Sequence, residues 1–432
     1  MSAKALTASL ERPSSRIPGF YQLDVRSRHR ELAQRFDLTD EDLELLWGAS
    51  MDGVAIADKM VENCVGILRL PIGLGLNFQV NGRDYVVPMA VEEPSVVAAA
   101  SNIARVVRAS GGFQAQADPS VMIAQVQVLG VNDIDDARAA LTEAAPTIVE
   151  AANARHPRMV ARGGGAIGIE VRVLDSAPRM VVVHLLINCC DAMGANIAND
   201  MAECVAPLIE EATGGRACLR ILSNLADRRL ARAHCTIREE LLERPGHAGP
   251  DVAGGVVEAY RFAAADPYRA ATHNKGVMNG IDAVGIATGN DWRSLEAGAH
   301  AYAARNGRYE PLTRWWRSKG HLHGEIELPM AVGTVGGSTR VQPVLGVLQK
   351  LLRAESAQEL AMVMAAVGLA QNLGALCALA SEGIQRGHMS LHARSVALAA
   401  GVSQDRIDDV AAKLVRIGDF SPSAARRIAE TV

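Results

Sequence analysis

The amino-acid sequence predicts an α+β protein in which a small β-α-β-β-α-β domain is inserted into a larger, helix-rich one. Three observations support this. Strand-like and helix-like segments alternate in that order between about residues 119 and 223, longer helical patterns lie on both sides, and short helices follow Gly387. The order is that of the ferredoxin-like split unit. The predicted domains are therefore 1–118 with 224–384, 119–223, and a C-terminal helical tail, 385–432.

Each element of the small domain has its own signal. The strands alternate or are rich in β-branched residues, and the first helix opens on acidic residues that suit a helix N-terminus. In chain order the predicted elements are strand 121–131, helix 133–156, strands 167–174 and 180–188, helix 195–213 and strand 218–222. Outside this domain the patterns predict helices at 38–48, 95–111, 356–381, 390–400, 404–416 and 423–431, and a hairpin that turns at Asn81-Gly82.

Composition and charge exclude several classes of protein. The chain has 432 residues, is 49% hydrophobic and carries a net charge of -4, so it has no general basic field for nucleic acid or an anionic membrane. No apolar run approaches the ~18 residues of a membrane span, and no signal-peptide core is visible at the N-terminus, so a cytoplasmic protein is predicted. The seven cysteines include no Cys-x-x-Cys pair, which argues against a zinc ribbon.

Two turns are candidates for binding a dinucleotide. Residues 163–168 match the pattern G-x-G-x-x-G, but they follow a helix and open a strand, the reverse of the expected context. We interpret them as a tight turn. Residues 191–196 (DAMGAN) lie between a strand and a helix, where backbone N–H groups can bind a pyrophosphate and Gly194 allows close approach. Taken alone, an ordinary strand–helix turn explains this segment equally well.

Four other segments each place one unusual polar residue in an apolar or glycine-rich setting. They are 92–95 with Glu93, 272–276 with Lys275, 288–292 with Asp291 and 383–389 with His388. Individually, each is more often a cap, a turn or a solvated charge than a catalytic group. The pairs His321/His323 and His388/His392 lack a third ligand at a recognised spacing, so no metal is predicted. The arginines at 228, 229, 426 and 427 are interpreted as solvated helix faces.

Taken in chain order, these segments resemble the class II 3-hydroxy-3-methylglutaryl-coenzyme A (HMG-CoA) reductases. The similar segments are 62–66 (ENCVG), 91–95 (VEEPS), 191–196 (DAMGAN), 269–276 (RAATHNKG), 288–292 (TGNDW), 332–339 (VGTVGGST) and 383–389 (GIQRGHM). One such motif would be weak evidence for the family, but seven motifs in the family's order are strong evidence. The resemblance implies a large domain that binds HMG-CoA, a small non-Rossmann domain that binds NAD(H) or NADP(H), a C-terminal flap, and a homodimer, or a larger assembly of dimers, with active sites at the subunit interface.

The resemblance also implies roles for individual residues. Lys275 would stabilise the oxyanion formed from the thioester carbonyl, and Glu93 would act as a protonated general acid. Asp291 would hold both in a hydrogen-bonded network, and His388 would protonate the departing coenzyme A thiolate when the flap closes. Arg269, Ser95 and Asn279 match positions that contact the acid end or hydroxyls of the substrate, and Asp191, Met193, Gly194 and Asn196 match the cofactor loop.

The choice of cofactor depends on His156 and Arg158. Members of the family with this pattern carry an acidic residue here that binds the adenosine ribose hydroxyls and disfavours a 2′-phosphate. His156 and Arg158 would instead tolerate or attract a 2′-phosphate. Overall similarity to NAD-using members still favours NAD(H) slightly, with NADP(H) as the alternative.

Two other functions stay open at this point. One is a coenzyme A-dependent acyl-transfer enzyme with a cysteine nucleophile, for which only Cys235, next to His234, is superficially suitable; its Leu/Ala/Arg surroundings indicate a structural residue. The other is a catalytically silent protein of the same fold that binds coenzyme A or a nucleotide; the presence of Glu93, Lys275, Asp291 and His388 disfavours it. Synthesis and oxidation of mevalonate would use the same site, so the sequence leaves the physiological direction open.

Overall fold

The computed structural model describes residues 13–47, 53–175, 179–336, 341–381 and 383–431, and for residues 384–391 it describes the backbone alone. Within these residues, helices surround three antiparallel sheets of two, four and four strands. The predicted mixture of helices and sheets is confirmed.

The N-terminal part contains three helices, a hairpin and a fourth helix. They are α1 Val25–Phe36, α2 Asp40–Trp47, α3 Gly53–Met60, β1 Ile72–Val80, β2 Arg83–Ala90 and α4 Val96–Arg108. Thr39 and Asp42 begin α2 with reciprocal bonds: the Asp42 N–H donates to Thr39 Oγ1 at 3.2 Å, and the Thr39 N–H donates to Asp42 Oδ2 at 2.9 Å. Asn81 and Gly82, with φ of 51° and 78°, form the predicted turn of the hairpin.

The segment between residues 121 and 222 follows the predicted order of elements. They are β4 Val121–Leu129, α5 Ile134–Arg155, α6 Pro157–Val160, β5 Gly165–Leu174, β6 Met180–Asn188, α7 Ala195–Thr213 and β7 Arg216–Leu222. The strands pair in the order β5-β6-β4-β7, all antiparallel. Helices α5 and α7 pack against each other, and side chains such as Met122, Leu141 and Met201 form a core of their own. Gly163 and Gly165 have φ of 84° and 110°, which confirms a tight turn before β5.

The larger part of the chain is built around a second four-stranded sheet. Its elements are β3 Gln114–Ala117, β8 Leu230–Arg238, α8 Gly249–Ala265, α9 Pro267–Ala287, α10 Trp292–Ala303, β9 Thr313–Ser318, β10 His321–Pro329, α11 Pro343–Leu352 and α12 Ala357–Leu379. The strand order is β3-β8-β10-β9. Helices α9 and α12 pack closely against each other, and α12 also packs against α4 and β8.

Helix α12 corrects the expectation that no segment is apolar enough to span a membrane. Its 23 residues meet that test by length and mean hydropathy, because isolated polar residues such as Gln371 and Asn372 lower the average only slightly. In the structure, however, 83% of its most apolar window is buried inside the protein. Helix α12 is therefore the central helix of the largest apolar core.

The C-terminal helices are α13 Ile384–Ala399, α14 Ile407–Ile417 and α15 Pro422–Ala429. They share a small core that includes Ala397, Val410 and Leu414. The first tail helix was predicted to begin at Ser390, but it begins at Ile384, directly after Gly383 with φ of 83°. His388 therefore lies within the helix rather than ahead of it. A glycine inside a helix costs only about 1 kcal/mol relative to alanine, so Gly387 does not end it.

Candidate active site

Glu93 and Lys275 are 182 residues apart in the sequence and meet in space. Glu93 lies in the loop between β2 and α4, and Lys275 lies in the middle of α9. The ammonium Nζ of Lys275 is 3.4 Å from Oε2 of Glu93. The Lys275 side chain is 63% exposed, so an incoming ligand can reach the ammonium. Glu92 is exposed, whereas Glu93 is partly buried, and it is the second carboxylate that makes the contact.

Buried polar bonds hold α9 in place beneath Lys275. Nε2 of His273 is 2.6 Å from the Thr313 hydroxyl, which donates to Asn372 Oδ1 at 2.9 Å. The side-chain amide of Asn274 donates to the Glu310 carbonyl, and its oxygen accepts the Leu312 N–H, both at 2.9 Å. Burial lowers the pKa of His273 to about 3, so the ring stays neutral. These bonds help to keep α9 in one position, although Nδ1 of His273 is buried without a hydrogen-bond partner among the described residues.

Two further predicted site residues lie on the same helix. Asn279 follows Lys275 by one turn, so the two side chains project from the same face. Arg269 lies in the first turn, where the carboxylate of Asp266 caps the helix by accepting the Arg269 N–H at 3.3 Å. Burial lowers the pKa of Arg269. No carboxylate in the described part of the chain pairs with Arg269, so its guanidinium is available to an anionic ligand.

A pocket of about 940 Å³ adjoins Glu93. Ser95, which precedes α4, has the left-handed φ of 79° and lines the pocket together with Glu93. The remaining walls combine apolar side chains with arginines: Ile17, Ile72, Leu74, Leu76, Arg16, Arg28, Arg105 and Arg394. Arg394 belongs to α13, so the C-terminal helices contribute to one wall. A cavity of this composition suits a ligand that has both an apolar arm and anionic groups.

The carboxylate of Asp291 contacts residues that follow it closely in the sequence. It accepts the Ser294 N–H at 3.3 Å, which caps α10, and lies 3.2 Å from a guanidinium nitrogen of Arg293. Among the described residues it does not bond to Lys275 or Glu93. The expected three-residue network is thus represented within one chain by Glu93 and Lys275 alone.

The segment 191–196 connects β6 to α7 as predicted. Gly194 precedes α7 with φ of 101°, and a Cβ at this position would clash with Cys189 Sγ, so only glycine fits here. No acidic residue lies in the first turn of α7, and Asn196 is exposed there, which leaves the helix N-terminus open to an anion. Asp191 faces elsewhere: its Oδ1 accepts the Ala357 N–H at the start of α12 at 2.9 Å.

An acidic residue does lie near His156, but it comes from α7. Oδ2 of Asp200 is 2.7 Å from Nε2 of His156 and 3.0 Å from Nε of Arg155. The bond from Arg155 is the main reason that the pKa of Asp200 is lowered. Arg158 is exposed on α6. The carboxylate of Asp200 is therefore already paired with the guanidinium of Arg155 and in contact with His156.

One interpretation made from the sequence is wrong, and one alternative function is disfavoured. Arg229 is not on a solvated helix face: it is 3% exposed and donates to the carbonyls of Ala192, Met193 and Val332. Cys235 is buried in β8, and burial raises the pKa of its thiol to about 12. A thiolate nucleophile at Cys235 is therefore disfavoured, and with it the acyl-transfer hypothesis.

A cluster of ionisable residues that no sequence motif indicated lies between α9 and α10. Asp282 and Glu296 interact, and His300 contacts Glu296 and the hydroxyl of Tyr309. The only local signal was the spacing of four between Glu296 and His300 on a helix. The contact with Asp282 depends on how the two helices pack.

Some predicted site residues fall outside the described part of the chain. Residues 337–339 of the glycine-rich segment 332–339 do so, as does the side chain of His388, whose backbone lies in α13. Among the described residues, no group of three or more His, Cys, Asp or Glu side chains is arranged to hold a metal ion.

Comparison with known proteins gives one consistent result. The family model described as hydroxymethylglutaryl-coenzyme A reductase matches residues 24–393. The chain is 49% identical to 3-hydroxy-3-methylglutaryl-coenzyme A reductase of Archaeoglobus fulgidus, over 96% of this chain and 94% of that protein. It is 32% identical to the probable enzyme of Borreliella burgdorferi, over 88% of each.

Solved structures agree with the sequence comparison. The fold is similar to 3-hydroxy-3-methylglutaryl-coenzyme A reductase from Streptococcus pneumoniae, with a TM-score of 0.82 and 41% identity over 96% of this chain and 99% of that one. It is also similar to the class II enzyme from that organism bound to NADPH in open conformations, with a TM-score of 0.81 and 42% identity over 84% of this chain and 99% of that one.

Proposed function

This chain belongs to the hydroxymethylglutaryl-coenzyme A reductase family, and we propose that Glu93 and Lys275 form the centre of its active site. The enzyme interconverts HMG-CoA with mevalonate and coenzyme A using a nicotinamide cofactor. The observation that carries the proposal is the 3.4 Å separation between Lys275 Nζ and Glu93 Oε2, beside the large pocket that Glu93 lines.

The residue types suit this chemistry. Two molecules of reduced cofactor, bound in turn, would each supply one hydride, and together they would reduce the thioester through a hemithioacetal and an aldehyde to the alcohol. Lys275 stabilises the negative charge that develops on the former carbonyl oxygen. Glu93, within hydrogen-bond reach of the same position, supplies a proton to that oxygen. Arg269 binds the free carboxylate of the substrate, and Ser95 and Asn279 bind its hydroxyls. The apolar walls and arginines of the pocket accommodate the coenzyme A portion.

Asp291 reaches this centre from a second copy of the chain. Lys275 and the end of α9 at Ala287 are separated by about 18 Å, from the helical rise of 1.5 Å per residue. Asp291 follows that end, so it lies too far along the helix to join Lys275 of its own chain. The same turn adjoins the segment 191–196, which binds the cofactor. Each complete site therefore combines the Glu93–Lys275 pair of one subunit with Asp291 and the cofactor loop of the other.

A second observation supports a dimer. The segment from Val61 to Ile72 crosses the surface with several apolar side chains exposed, including Val65 at 101% and Leu68 at 89% of full exposure. A monomer rarely leaves such a contiguous apolar stretch in water. The segment contains residues 62–66 (ENCVG) and leads directly into the hairpin beside Glu93. We assign it to the interface between two copies.

The cofactor binds the small domain, residues 119–223, which has ferredoxin-like topology. The N-terminus of α7 and the close approach allowed by Gly194 fit a pyrophosphate. The sequence favours NAD(H) slightly. The paired carboxylate of Asp200 and the exposed guanidinium of Arg158 also tolerate a 2′-phosphate, and a relative from S. pneumoniae has been solved with NADPH. We propose that His156 and Arg158 set the preference and that both cofactors are accepted.

The remaining domain assignments are supported by the separate apolar cores of the chain. Residues 1–118 with 224–384 form the substrate domain, and residues 385–432 form a flap that carries His388 to the thiolate of departing coenzyme A. The apolar core shared by α13, α14 and α15 supports a unit that moves as one body. The burial of α12 supports the expected cytoplasmic location, because a core helix is not available to lipid.

The test is spectrophotometric. Purified protein is mixed with HMG-CoA and NADH or NADPH, and the reduced-nicotinamide absorbance is followed. Oxidation that depends on HMG-CoA and is lost in Lys275→Ala supports the proposal. If neither cofactor reacts, and mevalonate with coenzyme A and the oxidised cofactors gives no signal either, the catalytically silent binding protein becomes the better account.

A further inference from the structure

Arg229 is a buried cation whose described partners are all main-chain carbonyls. One guanidinium nitrogen donates to the carbonyl oxygens of Ala192 at 3.2 Å and Met193 at 3.1 Å, and the other donates to that of Val332. Burial lowers its pKa only to about 10, so it stays charged at neutral pH. Arg229 therefore joins two segments that are far apart in sequence: the cofactor loop, residues 191–196, and residues 330–335.

The same two segments also meet through their backbones. The N–H groups of Thr334 and Val335 both donate to the Asp191 carbonyl, at 2.9 and 3.3 Å. A Cβ built on Gly333 would lie 2.5 Å from the Met193 nitrogen and 3.0 Å from the Asp191 oxygen. Any side chain at this position would push the two segments apart.

Asn290 extends this contact to the turn that carries Asp291. Its side-chain oxygen accepts the Gly333 N–H at 2.7 Å, and its side-chain amide donates to the Gly333 carbonyl at 3.2 Å. Both backbone groups of Gly333 are thus held by one side chain. The amide of Asn290 also donates to Thr288 Oγ1 at 2.9 Å, within the same turn.

We propose that Arg229, Gly333 and Asn290 act as positioning residues that fix the cofactor loop relative to Asp291, so that the dinucleotide and this carboxylate approach the substrate as one rigid unit. The inference rests on the proposed cofactor role of residues 191–196. None of the three residues needs to touch a ligand. Their effect is to remove alternative positions of the loop before the cofactor binds.

The first experiment measures equilibrium binding of NADH and NADPH, independent of turnover, in Arg229→Met and in the control Arg228→Met. Arg228 is adjacent but exposed, and it pairs with Glu170 at the surface. Arg229→Met leaves three buried carbonyls without their donor, and we expect dinucleotide affinity to fall about tenfold or more. Coenzyme A affinity should stay within about twofold, and Arg228→Met should resemble the wild type. Arg229→Lys, which keeps one charged donor, should recover part of the affinity.

A merely structural role gives a different result. In that case Arg229→Met lowers the melting temperature and the fraction of folded protein, but the folded fraction binds both ligands with unchanged affinity. That outcome overturns the proposal. So does an equal loss of coenzyme A and dinucleotide binding, because it indicates general distortion.

Asn290 provides a second route if Arg229→Met does not fold. Asn290→Ala removes both bonds to Gly333, whereas Asn290→Asp keeps the acceptor and removes the donor. We expect dinucleotide affinity to decrease in the order wild type, Asn290→Asp, Asn290→Ala. The exposed Asn306→Ala serves as the control. Wild-type affinity in Asn290→Ala overturns the inference.

One further variant separates this inference from the proposed function. Asn196→Asp places a negative charge at the exposed N-terminus of α7, where it should repel the pyrophosphate. If Asn196→Asp binds dinucleotides normally, the cofactor site itself is misplaced, and the proposal for Arg229, Gly333 and Asn290 falls with it. If Asn196→Asp loses binding while the Arg229 and Asn290 variants do not, the site stands and only the positioning role is overturned.

Discussion

Nε2 of His300 lies 2.5 Å from Oε2 of Glu296, one turn earlier on α10, and Nδ1 of the same ring is 2.6 Å from the Tyr309 hydroxyl. On the neighbouring helix, burial and then the hydrogen bond with Glu296 raise the pKa of Asp282 to about 8. The bond with Glu296 also raises the pKa of His300. A protonated carboxyl, a carboxylate and an imidazolium thus connect α9, which carries Lys275, to α10, which Asp291 caps.

We expect this cluster to make the protein less stable as the pH rises through neutrality. The pKa of Asp282 is about 8 in the folded protein, whereas the ordinary pKa of an aspartate, which applies to the unfolded chain, is 3.8. Between these two pH values the folded protein holds a proton that the unfolded chain has lost. The free energy of unfolding therefore decreases as the pH rises from 3.8 to about 8. His300 acts in the same direction, because its pKa in the folded protein is raised above the ordinary value of 6.5. The stability that this raised pKa contributes is fully present below pH 6.5. It is lost as the pH rises through the pKa of the folded state.

Asp282→Asn should therefore flatten the pH dependence. Thermal unfolding followed between pH 6 and pH 9 should show that the melting temperature of Asp282→Asn, measured relative to the wild type, rises by roughly 2–4 °C from pH 6 to pH 9. Asp58→Asn, at an exposed position, is the control and should follow the wild type. Parallel curves for the wild type and Asp282→Asn would contradict the assigned protonation state.

The second prediction concerns the Glu93–Lys275 pair. Lys275→Met removes the cation proposed to stabilise the oxyanion, so kcat should fall by about 10²–10³ while KM for HMG-CoA changes only a few-fold. Glu93→Gln should also lower kcat, and the double variant should lose little more than the worse single one, because the two groups act on the same oxygen. Lys319→Met, at an exposed turn, is the matched control. Additive losses would indicate that the two residues act in separate steps.

Local signals account for the parts of the fold that the sequence predicts well. Strand Met180–Asn188 and helix Ala195–Thr213 have the predicted bounds, because the β-branched run ends at Asn188 and glycines flank the helix. The start of α13 was missed, since Gly387 looked like a boundary although the helix tolerates it.

The contacts within the site were less predictable from local sequence signals than the helices and strands were. Nothing local in the sequence brings Glu93 to Lys275; their pairing was expected only from the resemblance, and the 3.4 Å contact agrees with it. Arg229 was misjudged because a run of charged residues usually faces solvent, whereas its carbonyl partners lie 36 to 103 residues away. Long-range backbone partners leave no pattern in the sequence.

The third prediction tests the proposed dimer interface. Leu68→Asp places a charge in the exposed apolar segment, and loss of one buried leucine contact on each subunit should raise the dissociation constant of the dimer by about a hundredfold or more. Activity should then fall on dilution, because the proposed site combines Asp291 of one subunit with Lys275 of the other. Leu219→Asp, on exposed β7, is the control. Sedimentation at several concentrations measures the assembly. A wild-type dimer from Leu68→Asp would mean that the interface lies elsewhere.

The fourth prediction addresses the choice of cofactor. Arg158→Glu introduces an acidic group near the expected position of the adenosine ribose, so kcat/KM with NADPH should fall about tenfold or more, whereas that with NADH should stay within about twofold. Arg162→Glu, just beyond α6, controls for the change in charge. Equal losses with both cofactors would show that Arg158 does not distinguish the 2′-phosphate from the hydroxyl.

The fifth prediction separates His388 from the other catalytic groups. Its expected task is to protonate the coenzyme A thiolate, which departs only when HMG-CoA is the substrate. In His388→Ala, reduction of HMG-CoA should therefore fall by about 10² or more, whereas reduction of the free aldehyde intermediate should stay within about threefold. His392→Ala, one turn further along α13, should leave both reactions near the wild-type rates. If His388→Ala slows the aldehyde as much as the thioester, the residue serves hydride transfer or flap closure in general, and protonation of the thiolate must be assigned to another group.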